Sequence, residues 1–254
     1  MSQQNSGQHR VQLHQRPIQI TLPVALAVVF SSVAAIFLVP KVAAVHAACS
    51  GHCYGSPVWN GAIHGGETFV ETVDMSGTTS NHISDEEWIT DLNHGCFGAT
   101  VSWVEMGQAT RLSDAKEYYF WVDCRPGYQY FEHWVSTVPS GDVGHYFYYL
   151  IKYLNSTTYN LYLMNSSGGV VWSAQSTSNT MQPNRQQIGL ETTSTSATSA
   201  SSAYFKLTEW ERPNGAFSYQ TNPGTVTQAS PPYWTWDQPP NSSNQGGLGH
   251  SRCC

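Results

Sequence analysis

The sequence predicts an all-β domain, a two-sheet antiparallel β-sandwich that follows an N-terminal export segment. Three observations predict it. Short runs rich in Tyr, Trp, Phe, Val and Thr recur from Val58 onward, clusters of Gly, Pro, Asn and Ser separate them, and no long stretch of helical periodicity interrupts them.

The elements follow in chain order. Residues 1–17 are polar, with Arg10 and Arg16 and no acid, and residues 18–39 are almost uninterrupted apolar sequence. This is the pattern of a signal peptide. Val45 and Ala47 are small residues at positions −3 and −1 of a cut after Ala47, so residues 1–47 are expected to be removed. The apolar run also reaches the ~20 residues that span a bilayer as a helix, so a retained anchor stays open. The domain is therefore expected outside the cytoplasm, secreted or held at the membrane by this segment alone.

Residues 48–220 make the sandwich. Strands are expected over 58–64, 68–74, 99–106, 117–123, 128–137, 145–154, 159–164, 170–174, 186–192, 203–211 and 216–220. Arg125-Pro126-Gly127 and the run from Asn165 to Gly169 are turn sequences that favour antiparallel neighbours. The run Ser84-Asp85-Glu86-Glu87 reads either as a helix capping box, with Gly95 as the stop, or as the approach to an edge strand over 87–91; the strand reading is preferred. Residues 192–202 are almost pure Thr, Ser and Ala and read as a low-complexity surface loop. Residues 221–254 form a Pro/Gly/aromatic tail that ends in a Cys-Cys pair. Its aromatic stretch, 231–236, either packs against the sandwich or stands exposed as a ligand-stacking patch.

Composition excludes some partners. Arg10, Arg16 and Lys41 account for three of the eleven Lys and Arg and the export segment for none of the seventeen Asp and Glu, so the domain is more acidic than the chain's net charge of −6. Nucleic acid is not expected, because phosphate binding needs clustered Lys and Arg. All six cysteines, at 49, 53, 96, 124, 253 and 254, lie beyond the export segment, where an oxidising setting favours bridges. The pairing stays open. A staple from the Cys49/Cys53 end to the Cys253/Cys254 end would close a very long loop in the unfolded chain. The cysteine spacing is not that of a zinc site, and neither metal nor cofactor is expected.

Strand alternation then sorts the acids. In Val101-Ser102-Trp103-Val104-Glu105, Glu105 shares a face with Trp103 among apolar neighbours. In Gln187-Ile188-Gly189-Leu190-Glu191, Glu191 shares a face with Gly189 while Ile188 and Leu190 point into the opposite layer. Glu132 lies on one face with Tyr130 and Trp134, so Trp103, Tyr130 and Glu132 are candidate substrate contacts in a groove for an extended polymer. His133 alternates away and is not a candidate. There is no Gly-x-Ser-x-Gly elbow for serine chemistry.

Trp103-Val104-Glu105-Met106-Gly107, Tyr119-Phe120-Trp121 and the Gly127-Tyr128 turn resemble the Ile-Glu-Ala-Gly-Trp element, aromatic strand and Asp-Gly-Tyr turn of the neprosin family of glutamic peptidases. Gly189-Leu190-Glu191 resembles that family's later Gly-Gly-Glu. The resemblance covers residues 99–192, with Met106, Gln108 and Leu190 departing from the pattern. It implies a jelly-roll, concanavalin-like sandwich with Glu105 and Glu191 as the catalytic pair; fungal glutamic peptidases have Gln and Glu at such positions on a related sandwich. On that reading the two carboxylates face each other on adjacent strands and share a proton. Ionised Glu191 activates water, protonated Glu105 donates to the scissile carbonyl oxygen, and an acidic optimum follows. The substrate would be an extracellular polypeptide. Two other readings remain: a non-catalytic extracellular binding or surface protein for a glycan or protein ligand, and a glycan-acting hydrolase using the same acids.

Overall fold

The computed structural model describes residues 50–127, 129–177, 180–228 and 231–254; the export segment, Cys49 and Tyr128 lie outside them. Regular structure among the described residues is all strand: β1 (Ser50–Asn60), β2 (Gly65–Glu71), β3 (Met75–Ser76), β4 (Ile83–Asp91), β5 (Ser102–Thr110), β6 (Glu117–Cys124), β7 (Phe131–Thr137), β8 (Tyr146–Asn155), β9 (Thr158–Asn165), β10 (Val170–Thr177), β11 (Arg185–Ser194), β12 (Ser199–Glu211), β13 (Phe217–Tyr219), β14 (Thr225–Gln228), β15 (Tyr233–Gln238) and β16 (Leu248–Cys253). One sheet runs β14-β1-β11-β4-β5-β6-β7. The other runs β10-β9-β8-β2-β12-β16-β15, with β3 and β13 both on β12.

The core lies between the sheets. The first contributes Ile89, Val104, Met106, Tyr119, Ile188 and Leu190, and the second Val70, Tyr149, Ile151, Leu161, Leu163 and Phe205, all fully or almost fully buried. Ile188 and Leu190 thus point where alternation places them, and Glu191 is left on the opposite face.

Four expectations need correction. The segment around Glu87 is not an edge strand, because β4 pairs with β11 on one side and β5 on the other. All nine of its residues are buried, Asp85, Glu86 and Glu87 included. Sequence suggested an edge because consecutive acids usually mark solvent, and here they are covered on both faces instead.

Residues 192–202 are not a surface loop. β11 continues to Ser194, β12 begins at Ser199, and the turn between them is drawn in by a 2.7 Å hydrogen bond between the Thr192 and Thr198 hydroxyls.

The first strand starts near Ser50 rather than Val58. Gly55 and Pro57 carry little strand propensity, but pairing with β11 and β14 holds them extended. Finally, the two chain ends are not stapled together at Cys253 or Cys254, which are bonded to each other, while Cys96 is bonded to Cys124. Cys53 is disulfide-bonded too.

The segment after Gln220 supplies β14, β15 and β16, and Trp234 of β15 enters the core. Its few apolar residues are spent on that packing.

Candidate active site

A groove of about 1000 Å³ crosses the outer face of the first sheet. Its lining includes Trp88, Trp103 and Trp134, with Tyr54 and Tyr130, and beside the exposed Glu132 three buried carboxylates face into it: Glu86, Glu105 and Glu191. These three are 2%, 7% and 7% exposed, so none is ordinary solvated surface.

Register explains the convergence. Glu105 on β5 lies opposite Trp88 of β4, and Glu191 on β11 lies opposite Ser84 of β4. The two expected acids are therefore not on adjacent strands: β4 runs between them, and Glu86 sits midway along it. Its own cross-strand partners are both glycines, Gly107 and Gly189. A Cβ on Gly107 would stand 2.7 Å from the Glu86 Cβ, so glycine there leaves the carboxyl its space.

The three carboxyls have different proton affinities. Burial pushes Glu86 well above the usual carboxylate range, and the charges of Glu105 and Glu191 add to the shift. Burial raises Glu105 as well, to about 8, and the charge of Glu191 raises it further; the neighbouring Glu86 and Trp103 only moderate the effect. Glu86 and Glu105 are neighbouring buried carboxyls whose charges repel, so they cannot both ionise cheaply. Glu191 goes the other way. Burial pushes it up, but the hydrogen bond with His52 and the nearby His82, together with the positive charge of both rings, outweigh burial and hold it below the ordinary value.

Both histidines are placed by β11. Between Ser50 and Cys53 the β1–β11 register shifts, and Gly51 takes φ +91°. That bulge turns His52 over the groove, where Nδ1 meets Glu191 Oε1. His82, just before β4, is fixed by its backbone: its N–H donates to Thr193 Oγ1, and its carbonyl accepts from the Thr193 N–H and the Thr192 hydroxyl. Its Nε2 stands 3.8 Å from Glu191 Oε1. Tyr54 lies directly across the ladder from Glu191 and lines the same groove.

Of the residues singled out in the sequence, Glu105, Glu191, Trp103, Tyr130 and Glu132 all line this one groove. Trp103 and Tyr130 pack with ring centroids 5.9 Å apart, and the Tyr130 hydroxyl donates to Glu132 at 2.5 Å. Glu132 itself is exposed. His133, on the other face, stacks on Trp121. The reading missed Glu86, His52 and His82. Glu86 was legible only if 83–91 was taken as one central strand, since its parity then matches Ser84 and Trp88. His52 had a weaker signal, a glycine beside a histidine at the start of a strand.

No protein-family profile and no curated protein matches this chain. Among solved structures, the chain is similar to SCP-B, a member of the eqolisin family of peptidases, in complex with the tripeptide Ala-Ile-His. Identity is 11%, with 82% of this chain and 100% of that chain covered, at a TM-score of 0.51. A structure of scytalido-glutamic peptidase with a transition state analog inhibitor has 10% identity, covering 80% and 98%, at 0.49. At such identities the likeness to SCP-B establishes a shared fold.

Proposed function

We propose that this chain is a glutamic-type endopeptidase acting outside the cytoplasm on an extended polypeptide bound along the groove. One observation carries the reading: two buried carboxyls in unlike surroundings share one groove, Glu191 beside His52 and His82, which favour its ionised form, and Glu105 beside Glu86 in a desolvated setting that favours its protonated form. Division into base and acid is what hydrolysis by a pair of carboxyls requires. The fold shared with an eqolisin peptidase supports it.

Glu191 takes a proton from water as that water attacks the scissile carbonyl carbon. Glu105 donates its proton to the carbonyl oxygen and stabilises the charge developing there. Glu86, buried next to Glu105 and kept neutral, adds no competing negative charge. Trp103, Tyr130 and Glu132 supply stacking surface and a hydrogen-bond acceptor along the groove. Because Glu191 is depressed and Glu105 raised, the working window runs from acid toward neutrality.

The test is digestion of an unfolded protein substrate between pH 2 and pH 7 by the wild type, Glu105→Gln and Glu191→Gln. Loss of roughly 10²–10⁴-fold in each variant is the expected result. Equal rates in all three would exclude the pair as catalytic. The groove's aromatic lining favours a second reading, a non-catalytic module that stacks a glycan or peptide, and inactivity of the wild type across the range would leave that one standing.

A further inference from the structure

We infer that His52, His82 and Glu191 form a binding site for one divalent transition-metal ion of the zinc class, and that a bound ion switches off Glu191 as a base. The first half stands on the donor set alone. The second rests on the peptidase reading.

His52 Nδ1, His82 Nε2 and a Glu191 carboxylate oxygen all lie within 4.8 Å of one another. In a tetrahedral site with metal–ligand distances of about 2.0–2.1 Å, ligand atoms stand roughly 3.3 Å apart. The His82 Nε2 to Glu191 Oε1 separation of 3.8 Å is therefore close to what an ion needs. The His52 Nδ1 contact has to open by about 1 Å to reach that spacing, and His52 stands on the bulge with its side chain largely exposed, where a rotation can make that adjustment.

Two imidazoles and one carboxylate are a borderline-soft donor set. They suit zinc and its neighbours rather than magnesium or calcium, which prefer oxygen ligands throughout. Three protein ligands facing a groove also leave the remaining coordination position to water or a substrate group.

The scaffold is built rather than incidental. Glu191 lies on β11 between the two elements that carry the histidines, so the three donors come from three neighbouring strands or their immediate ends. His82 is tied to Thr192 and Thr193 by backbone hydrogen bonds, and Cys53, next to His52, is disulfide-bonded. In the metal-free chain the two rings only keep Glu191 ionised, and neither takes a proton or a substrate contact in the proposed reaction. An ion on Glu191 occupies the lone pair that would take the water proton.

Equilibrium dialysis of the untagged full chain against zinc chloride at neutral pH tests the site, with magnesium chloride in parallel. One zinc per chain is expected, resistant to excess magnesium, with affinity reduced about tenfold or more in His52→Ala and in His82→Ala; even an outer-shell partner of a metal ligand is worth 10–100-fold. His52 is the more exposed ring, so its variant keeps the test valid if the other fails to fold. No stoichiometric zinc, or zinc bound equally by wild type and both variants, overturns the site.

The same titration run against substrate digestion tests the switch. Activity should fall in proportion to bound zinc and return with chelator. Zinc bound without inhibition overturns the switch alone. Zinc bound by a chain that digests nothing retires the peptidase reading and leaves the metal site in place, whereas digestion without zinc binding does the reverse.

Discussion

At the scale of single residues, Gly189 shows how closely the groove face is fitted. It has φ +138°, a conformation that side chains rarely adopt, and a Cβ there would meet the Gly55 carbonyl oxygen at 2.4 Å and the Ser56 Cβ at 2.8 Å. Both atoms belong to β1, paired to β11 on that side, so there is no flexible side chain to yield. Substitution therefore combines strain with a backbone clash two residues from Glu191. Gly189→Ala should lower unfolding stability by about 2 kcal/mol or more, read as a shift of the urea midpoint at unchanged slope. A midpoint within a few tenths of a molar of wild type would show that β1 can move aside. The sequence made this position visible: a glycine inside a strand marks a close approach. It could not say that the approaching chain is β1, because that depends on long-range pairing.

At the scale of elements, what could be read and what could not divides along the source of the signal. β6, β8, β9 and β11 carry Tyr, Phe, Val, Ile and Leu in alternation, and local pattern was enough to find them. β4 has Ser-Asp-Glu-Glu, whose local preferences point to a helix start or a solvent edge, and only its place between β11 and β5 makes it a strand. The same gap hid Glu86, so the buried carboxyls of the groove were read as a pair, Glu105 and Glu191, when there are three. The histidines depend on a bulge and on backbone hydrogen bonds to β11, features with no periodic trace. The Cys96–Cys124 bridge is a further element-scale feature. It ties the segment leading into β5 to the end of β6 across a separation of 28 residues, beside the Gly98–Thr100 rim of the groove. Closing a loop of that length in the unfolded chain is worth about 3–4 kcal/mol. Cys96→Ser with Cys124→Ser should therefore cost most of that stability, measured by urea unfolding of the full chain. A change under about 1 kcal/mol would mean that the β4-β5-β6 ladder fixes this region by itself.

For the whole molecule, the distribution of buried acids sets how stability depends on pH. Between the sheets, Asp85 is completely buried and accepts a 2.9 Å hydrogen bond from the Tyr149 hydroxyl, and Glu87 accepts one of 2.8 Å from Gln186 Nε2. Burial pushes Asp85 up to about 8 despite that hydrogen bond, and pushes Glu87 well above the carboxylate range. Glu67 on the second sheet is raised to about 7, by burial and then by the charge of Glu209. A carboxyl whose pKa is higher folded than unfolded binds its proton more tightly in the native state. Its stabilising effect is complete below the unfolded value near 4 and is lost as the pH climbs through the folded value. Asp114 works in the opposite sense, since its bond to Arg111 depresses it, but that pair is exposed and worth little. The chain should accordingly be more stable at pH 4 than at pH 8, by an amount on the order of a few kcal/mol and several degrees in Tm. Thermal unfolding followed by circular dichroism across that range would show it, and a Tm equal or higher at pH 8 would refute it. Asp85→Asn separates this cause from general charge repulsion. The amide oxygen can still accept from Tyr149 but nothing at that site ionises, so the decline between pH 5 and pH 8 should become shallower. Such a fold keeps its core acids protonated in the same acidic range where the groove's raised carboxyl, Glu105, retains the proton it would donate.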